Sequence, residues 1–200
     1  PNPMDLLDSL LGVTPGSAMD RIRARRPIAR THTQESYRVL LTPDSPGRFT
    51  EAERFAVAAY VAALHGESAL ARHYAAGLAA RAPELAAPVA AAAAATRADG
   101  PHGAYPPGPL SAEDTPAPGF ALPPEAAGAL GPRLAAAFAH AHFLVFHPRD
   151  AAPQRFAPLL AAGWSTPEIV SLSQLVAFLA YQLRAAHGLA VLARHVGDAA

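Results

Sequence analysis

None of the 200 residues is a cysteine. That absence excludes disulfides, thiolate metal sites and thiol nucleophiles. Lysine is missing too, so all 16 basic residues are arginine, which with the abundant alanine and proline reads as base composition rather than chemistry. Neither sign of charge is in excess: 16 basic and 16 acidic residues sum to a formal charge of zero. The chain therefore has no overall field to draw nucleic acid or an anionic membrane. No G-x-S-x-G, phosphate loop or dinucleotide fingerprint places it in the enzyme classes those motifs serve. The alanine-rich run 86–95 is too short to cross a bilayer, and the longest apolar stretch carries Gln174, Gln182, Arg184 and His187. With no signal peptide at the start, the expectation is a cytoplasmic protein without a membrane partner.

What the sequence does have is helix signals, in a composition of 51% hydrophobic and 16% charged residues that suits one sizeable core. The fullest signal is the stretch 163–184. Ser165 and Glu168 stand at capping-box spacing, Trp164 and Ile169 at hydrophobic-staple spacing, and Leu172, Leu175, Val176, Leu179 and Leu183 recur at helical intervals. This reads as the core helix that the rest of the chain covers. A second capping box, Thr50 and Glu53, opens a buried helix ending near Gly66, and helical character resumes from Glu67 to about Ala80 as a hairpin. An alanine-rich helix follows from Pro83 to about Asp99, then further helices over 130–146 and 151–162 separated by Pro148–Asp150. Earlier, short helices are expected over 5–11 and from Ser17 to about Ala24, with Pro27 as a stop and a third helix over 33–41. The expected organisation is an N-terminal helical arm at 1–48, a first helical lobe at 49–99, a Pro/Gly-rich linker at 100–124 and a second lobe at 125–200. The two lobes repeat one three-helix order. The linker drapes over the surface, reaches a neighbouring subunit or joins the halves.

The residue types that carry chemistry are few. Nine histidines raise the question of a metal, but no H-x-x-x-H spacing exists, and His140 and His142 point apart on a helix. His140 and His147 lie two turns apart, about 10 Å along the axis, too far to share one ion. No metal site and no cofactor are expected. His65, Glu67 and His73 gather near the Gly66 turn, where a carboxylate and an imidazole titrating near neutrality suit a general acid–base pair; polar residues at a helix end are the plainer reading. Around Asp150, a helix-capping carboxylate in this reading, Arg149 and Arg155 suit pairing with a carboxylate of the long helix. Ser173, Gln174, Tyr181 and Gln182 are polar positions on a buried helix, which bond to neighbours or line a cavity. The arginine run 21–30 lacks interleaved aromatics and reads as a solvated or subunit-contacting arm rather than a nucleic-acid site.

The order of helices, the segment 50–66, and Pro148–Asp150 followed by 163–178 resemble the carboxymuconolactone decarboxylase family with its alkylhydroperoxidase D-like fold. The resemblance covers roughly 33–192. It implies an all-α protein of two similar lobes in one domain that assembles as a homo-oligomer. The peroxidase branch of that family uses a C-x-x-C-x-x-x-H motif, which is missing here. Aligned on Gly66, its cysteine places fall on Glu67 and Leu70; counting back from Gly163, its places fall on Pro148, Ala151 and Arg155. The resemblance therefore implies a member without thiol peroxidase activity, acting as a binding or assembly subunit. The alternative is a cysteine-independent decarboxylase or isomerase acting on a small carboxylate or lactone. Catalytic candidates are His73, Glu67 and His65; substrate-binding candidates are His142, His147, Arg149, Arg155, Gln174 and Tyr181. The expected partners are further copies of the chain and a small-molecule ligand.

Overall fold

The computed structural model describes residues 5–197, and every extended element among them is a helix. In chain order these are α1 (Leu6–Leu11), α2 (Ala18–Ala24), α3 (Pro27–Leu41), α4 (Glu51–His65), α5 (Ala69–Arg81), α6 (Pro83–Thr96), α7 (Pro124–Phe146), α8 (Ala157–Ala161) and α9 (Thr166–Gly197). Pro27 opens α3 instead of stopping α2, because a proline at the first helical position loses no hydrogen bond. α7 begins at Pro124, six residues before the expected start, and breaks at Gly131 (φ 70°, ψ 169°), so Pro132 starts its second segment. Only Ala157–Ala161 of the expected helix over 151–162 is α-helical; a 3-10 turn at Pro153–Phe156 precedes it.

The centre of the fold is α4, not α9. Residues Arg54 to Ala62 are buried without interruption, and α5, α6, α7 and α9 all pack around this helix. Its one inward charge is satisfied by carbonyls: Arg54 donates to those of Phe49 and Leu40, each at 2.8 Å, with its guanidinium 4.2 Å above the Phe49 ring. α9 runs well past Arg184 and buries one stripe, Ile169, Leu172, Leu175, Val176, Leu179 and Leu183, while Val170, Gln174 and Tyr181 face outward. By length and composition alone α7 and α9 are each long and apolar enough to cross a membrane; here both contribute to one shared core. That core is contiguous from Leu7 to Leu183.

Within the arginine run, Arg21, Arg25 and Arg26 are exposed, as a solvated arm would have them, whereas Arg23 and Arg30 are held in ion pairs. Arg23 pairs with Asp5 and Asp8, and Arg30 with Asp8 and Asp20, Asp8 being almost fully buried. The Arg23–Asp8 contact at 2.6 Å is an ion contact without hydrogen-bond alignment. These pairs tie α1, α2 and α3 into one unit against α9.

Both predicted helix starts converge on one side chain. Thr50 and Glu53 form the reciprocal box, and Glu168 accepts from the Ser165 N–H and hydroxyl, both at 2.7 Å. Arg133, at the start of the second segment of α7, bonds Glu53 at 2.8 Å and Glu168 at 3.0 Å and lies 4.0 Å over the Trp164 ring. The Trp164 indole in turn donates to the Arg133 carbonyl and meets Phe49 edge-on. Burial opposes ionisation of Glu168, but the Ser165 donors and Arg133 outweigh it and hold its carboxyl below the usual range. Its stabilising share is thus complete above the unfolded carboxylate pKa and lost as pH falls through the lower folded value. Replacing the clamp, Arg133→Met, leaves two largely buried carboxylates unpaired and is expected to cost about 3 kcal/mol; urea unfolding at pH 7 measures this, and a loss near zero would contradict it.

Candidate functional site

The polar side chains with chemical potential concentrate at the C-terminal end of α7. His140 faces α9. Its Nε2 lies 2.9 Å from the Ser173 hydroxyl, which gives its own proton to the Ile169 carbonyl, so the imidazole is the donor and its Nδ1 carries the lone pair. That Nδ1 is buried without a partner among the described residues. Burial pushes the His140 pKa down to about 4, so the ring is neutral at pH 7. His142, on the opposite face, is wholly buried and donates from Nε2 to the Thr96 carbonyl at 2.9 Å, flanked by Phe120 and Phe146. Burial lowers its pKa as well, against the opposing effect of the Thr96 bond.

His147, just past α7, donates from Nδ1 to Asp150 at 3.2 Å. Burial and then the nearby Arg155 lower its pKa despite that carboxylate. Asp150, expected from the sequence to cap a following helix, does not do so. It holds the linker instead, accepting the Ala104 N–H at 3.2 Å. Arg149 donates to the Gly103 carbonyl at 3.1 Å and stacks 3.9 Å from Tyr105, and His102 N–H meets the Phe146 carbonyl. Gly103 is required here: its φ is +118°, and an added Cβ would lie 2.9 Å from Asp150 Oδ1. The linker is therefore a strap over the end of α7, with Tyr105 and Phe120 as its anchors. Among the described residues neither Arg149 nor Arg155 pairs with a carboxylate of α9, where Glu168 is taken by Arg133.

Arg155 donates from Nε to the Asp150 carbonyl at 3.0 Å, and its guanidinium lies 4.2 Å over the Phe143 ring. Together with Phe143, Ala151, Ala152, Pro153 and Phe156 it lines a solvent-facing groove of about 290 Å³. The His140 ring sits beside both aromatic walls, 6.1 Å from Phe143 and 5.9 Å from Phe156.

The candidates near the Gly66 turn do not form an acid–base pair. Glu67 is exposed, and no hydrogen bond among the described residues joins it to His65 or His73. His65 donates from Nδ1 to the Val61 carbonyl at 2.8 Å, and His73 bonds the Tyr37 hydroxyl at 2.9 Å. Burial lowers the pKa of both imidazoles, helped by Arg184 at His65 and by Arg81 at His73. Behind His73, the Tyr74 hydroxyl donates to the amide oxygen of fully buried Gln182, whose nitrogen has no partner among the described residues. Gln174 is exposed, and Tyr181, half exposed, bonds Thr33 at 3.0 Å; neither lines the groove. Sequence reasoning did not single out Tyr37, Phe143 or Phe156, which come together only through tertiary packing. Among the described residues no group of three or more histidines and carboxylates is arranged to hold a metal ion.

Compared with known proteins, the chain matches no family model, no curated sequence and no solved structure.

A histidine whose folded pKa lies below its unfolded value of about 6.5 costs stability only where the unfolded chain takes up the proton first. Stability is therefore undiminished above about pH 6.5 and falls as pH drops towards 4, with His140 contributing about 3 kcal/mol by the lower limit. Urea unfolding of His140→Gln across this range is expected to show a shallower decline than the parent protein; an identical slope would remove His140 as the cause.

Proposed function

We propose that the chain is a cysteine-free protein of the carboxymuconolactone decarboxylase and alkylhydroperoxidase D-like kind that works as a binding or assembly subunit rather than as a thiol peroxidase. The observation that supports this reading most is the commitment of the histidines. His140, His142, His65 and His73 are each bonded to a hydroxyl or carbonyl of the chain itself, and His147 is held by the Asp150 of its own turn. His140, His142 and His73 thereby join neighbouring helices, while the His65 and His147 bonds are local. A thiol peroxidase would also need a thiol to take oxygen from the peroxide, and the sequence has none. The assembly role goes with a homo-oligomer in the cytoplasm, and exposed apolar side chains such as Ile28 and Val39 on α3 and Leu192 on α9 suit contacts between copies.

A second reading has its own support. Arg155 at the rim of a groove suits the holding of a small carboxylate or lactone acid by a cysteine-independent decarboxylase or isomerase. His73 and His65 would stand outside such a site, since neither lines the groove.

Two measurements test the leading reading. Peroxide consumption with added dithiothreitol is expected to match the rate without protein, and catalytic turnover would overturn the exclusion. Light scattering on the eluting protein is expected to give a multiple of 20.7 kDa; a monomer at every concentration up to that of a storage stock would overturn the assembly role.

A further inference from the structure

We propose that the groove at the end of α7 binds a small, single-ring apolar acid, with Arg155 holding its one carboxylate. The proposal rests on the binding role put forward above and names the class of ligand; it needs neither the family resemblance nor assembly.

Charge complementarity is the first argument. Arg155 has no carboxylate within ion-pairing distance among the described residues, and only its Nε is used, on the Asp150 carbonyl. Stacking on Phe143 fixes the plane of the guanidinium, leaving its terminal N–H groups as a preorganised fork at the rim. The nearest acid does not compete, because the Asp150 carboxylate is occupied by His147 and the Ala104 N–H.

The walls supply the second argument. Phe143, Phe156, Pro153 and the two alanines offer an apolar surface, and Phe156 stays 43% exposed although it is a large hydrophobic side chain. Such a surface gains from covering by a ring. At about 290 Å³ the groove lies at the lower end of the range for small-molecule sites, ~300–1,000 Å³, which limits the occupant to a compact molecule. His140, beside both aromatic walls, is neutral at pH 7 and adds no second cation, so one carboxylate suits the site and two do not.

Benzoate is the probe. Calorimetric titration of the full chain at pH 7 and low salt compares it with benzamide, which keeps the ring without the charge, and acetate, which keeps the charge without the ring. Benzoate is expected to bind at least tenfold more tightly than either, and added salt is expected to weaken benzoate but not benzamide. Arg155→Gln should remove the preference for benzoate over benzamide, and Phe156→Ala should weaken both ring ligands severalfold. Both side chains are solvent-exposed, and circular dichroism checks that the variants keep their helices. Absence of benzoate binding, binding no tighter than acetate, or affinity unchanged by Arg155→Gln would overturn the proposal. Since neither the peroxide assay nor the solution mass involves the groove, failure here leaves the assembly reading standing, and a monomer that binds benzoate through Arg155 leaves this one.

Discussion

The structure depends on one cation shared between two helix starts. Glu53 and Glu168 are each the carboxylate at the third helical residue that reaches back to cap its own helix, and each keeps its second oxygen for Arg133. Local capping and tertiary packing are thereby joined: the interaction that begins α4 and the one that begins α9 both end on α7. Trp164 closes the arrangement by lying under the guanidinium and bonding the backbone of the same arginine. Because these groups are only partly exposed to solvent, their attraction is screened less than that of a surface pair.

The direction of α7 follows from this junction, and the site follows from α7. Its second segment leaves Arg133 and carries Phe138 against Tyr60 of α4, with ring centroids 4.2 Å apart. Further along it delivers His140 to α9 and His142 to the end of α6. At its end the strap from the linker is fastened by Asp150 and Arg149, leaving Arg155 and Phe156 at the surface. The histidines are thus parts of the helix packing, and the groove, with its uncommitted guanidinium nitrogens, is where the geometry favours a ligand.

Helix identity was legible at several ends marked by a chain-local rule. Thr50 and Glu53, Gly66, Pro83 and Ser17 mark helix ends through contacts within a few residues, and the structure uses each of them at those ends. Partners distant in sequence were not legible. The carboxylates awaiting Arg133 lie 80 and 35 residues away, and Tyr37, 36 residues before His73, shows no local sign of bonding it. The apparent centrality of α9 arose because its apolar residues are large while those of α4 are mostly alanine; burial follows position rather than side-chain size, and alanine lets neighbouring helices come close enough to surround α4. Pro27 illustrates a second ambiguity, since a proline just past one helix can also open the next.

The claim that a single shared cation couples the two helix starts is tested most directly by a double-mutant cycle on Glu53→Gln and Glu168→Gln, followed by urea unfolding at pH 7. If Arg133 serves both carboxylates, the double variant departs from the sum of the singles by about 1 kcal/mol, and the departure disappears when the cycle is repeated on Arg133→Met. Additivity within about 0.3 kcal/mol with Arg133 present, or a coupling that persists without it, would contradict the account.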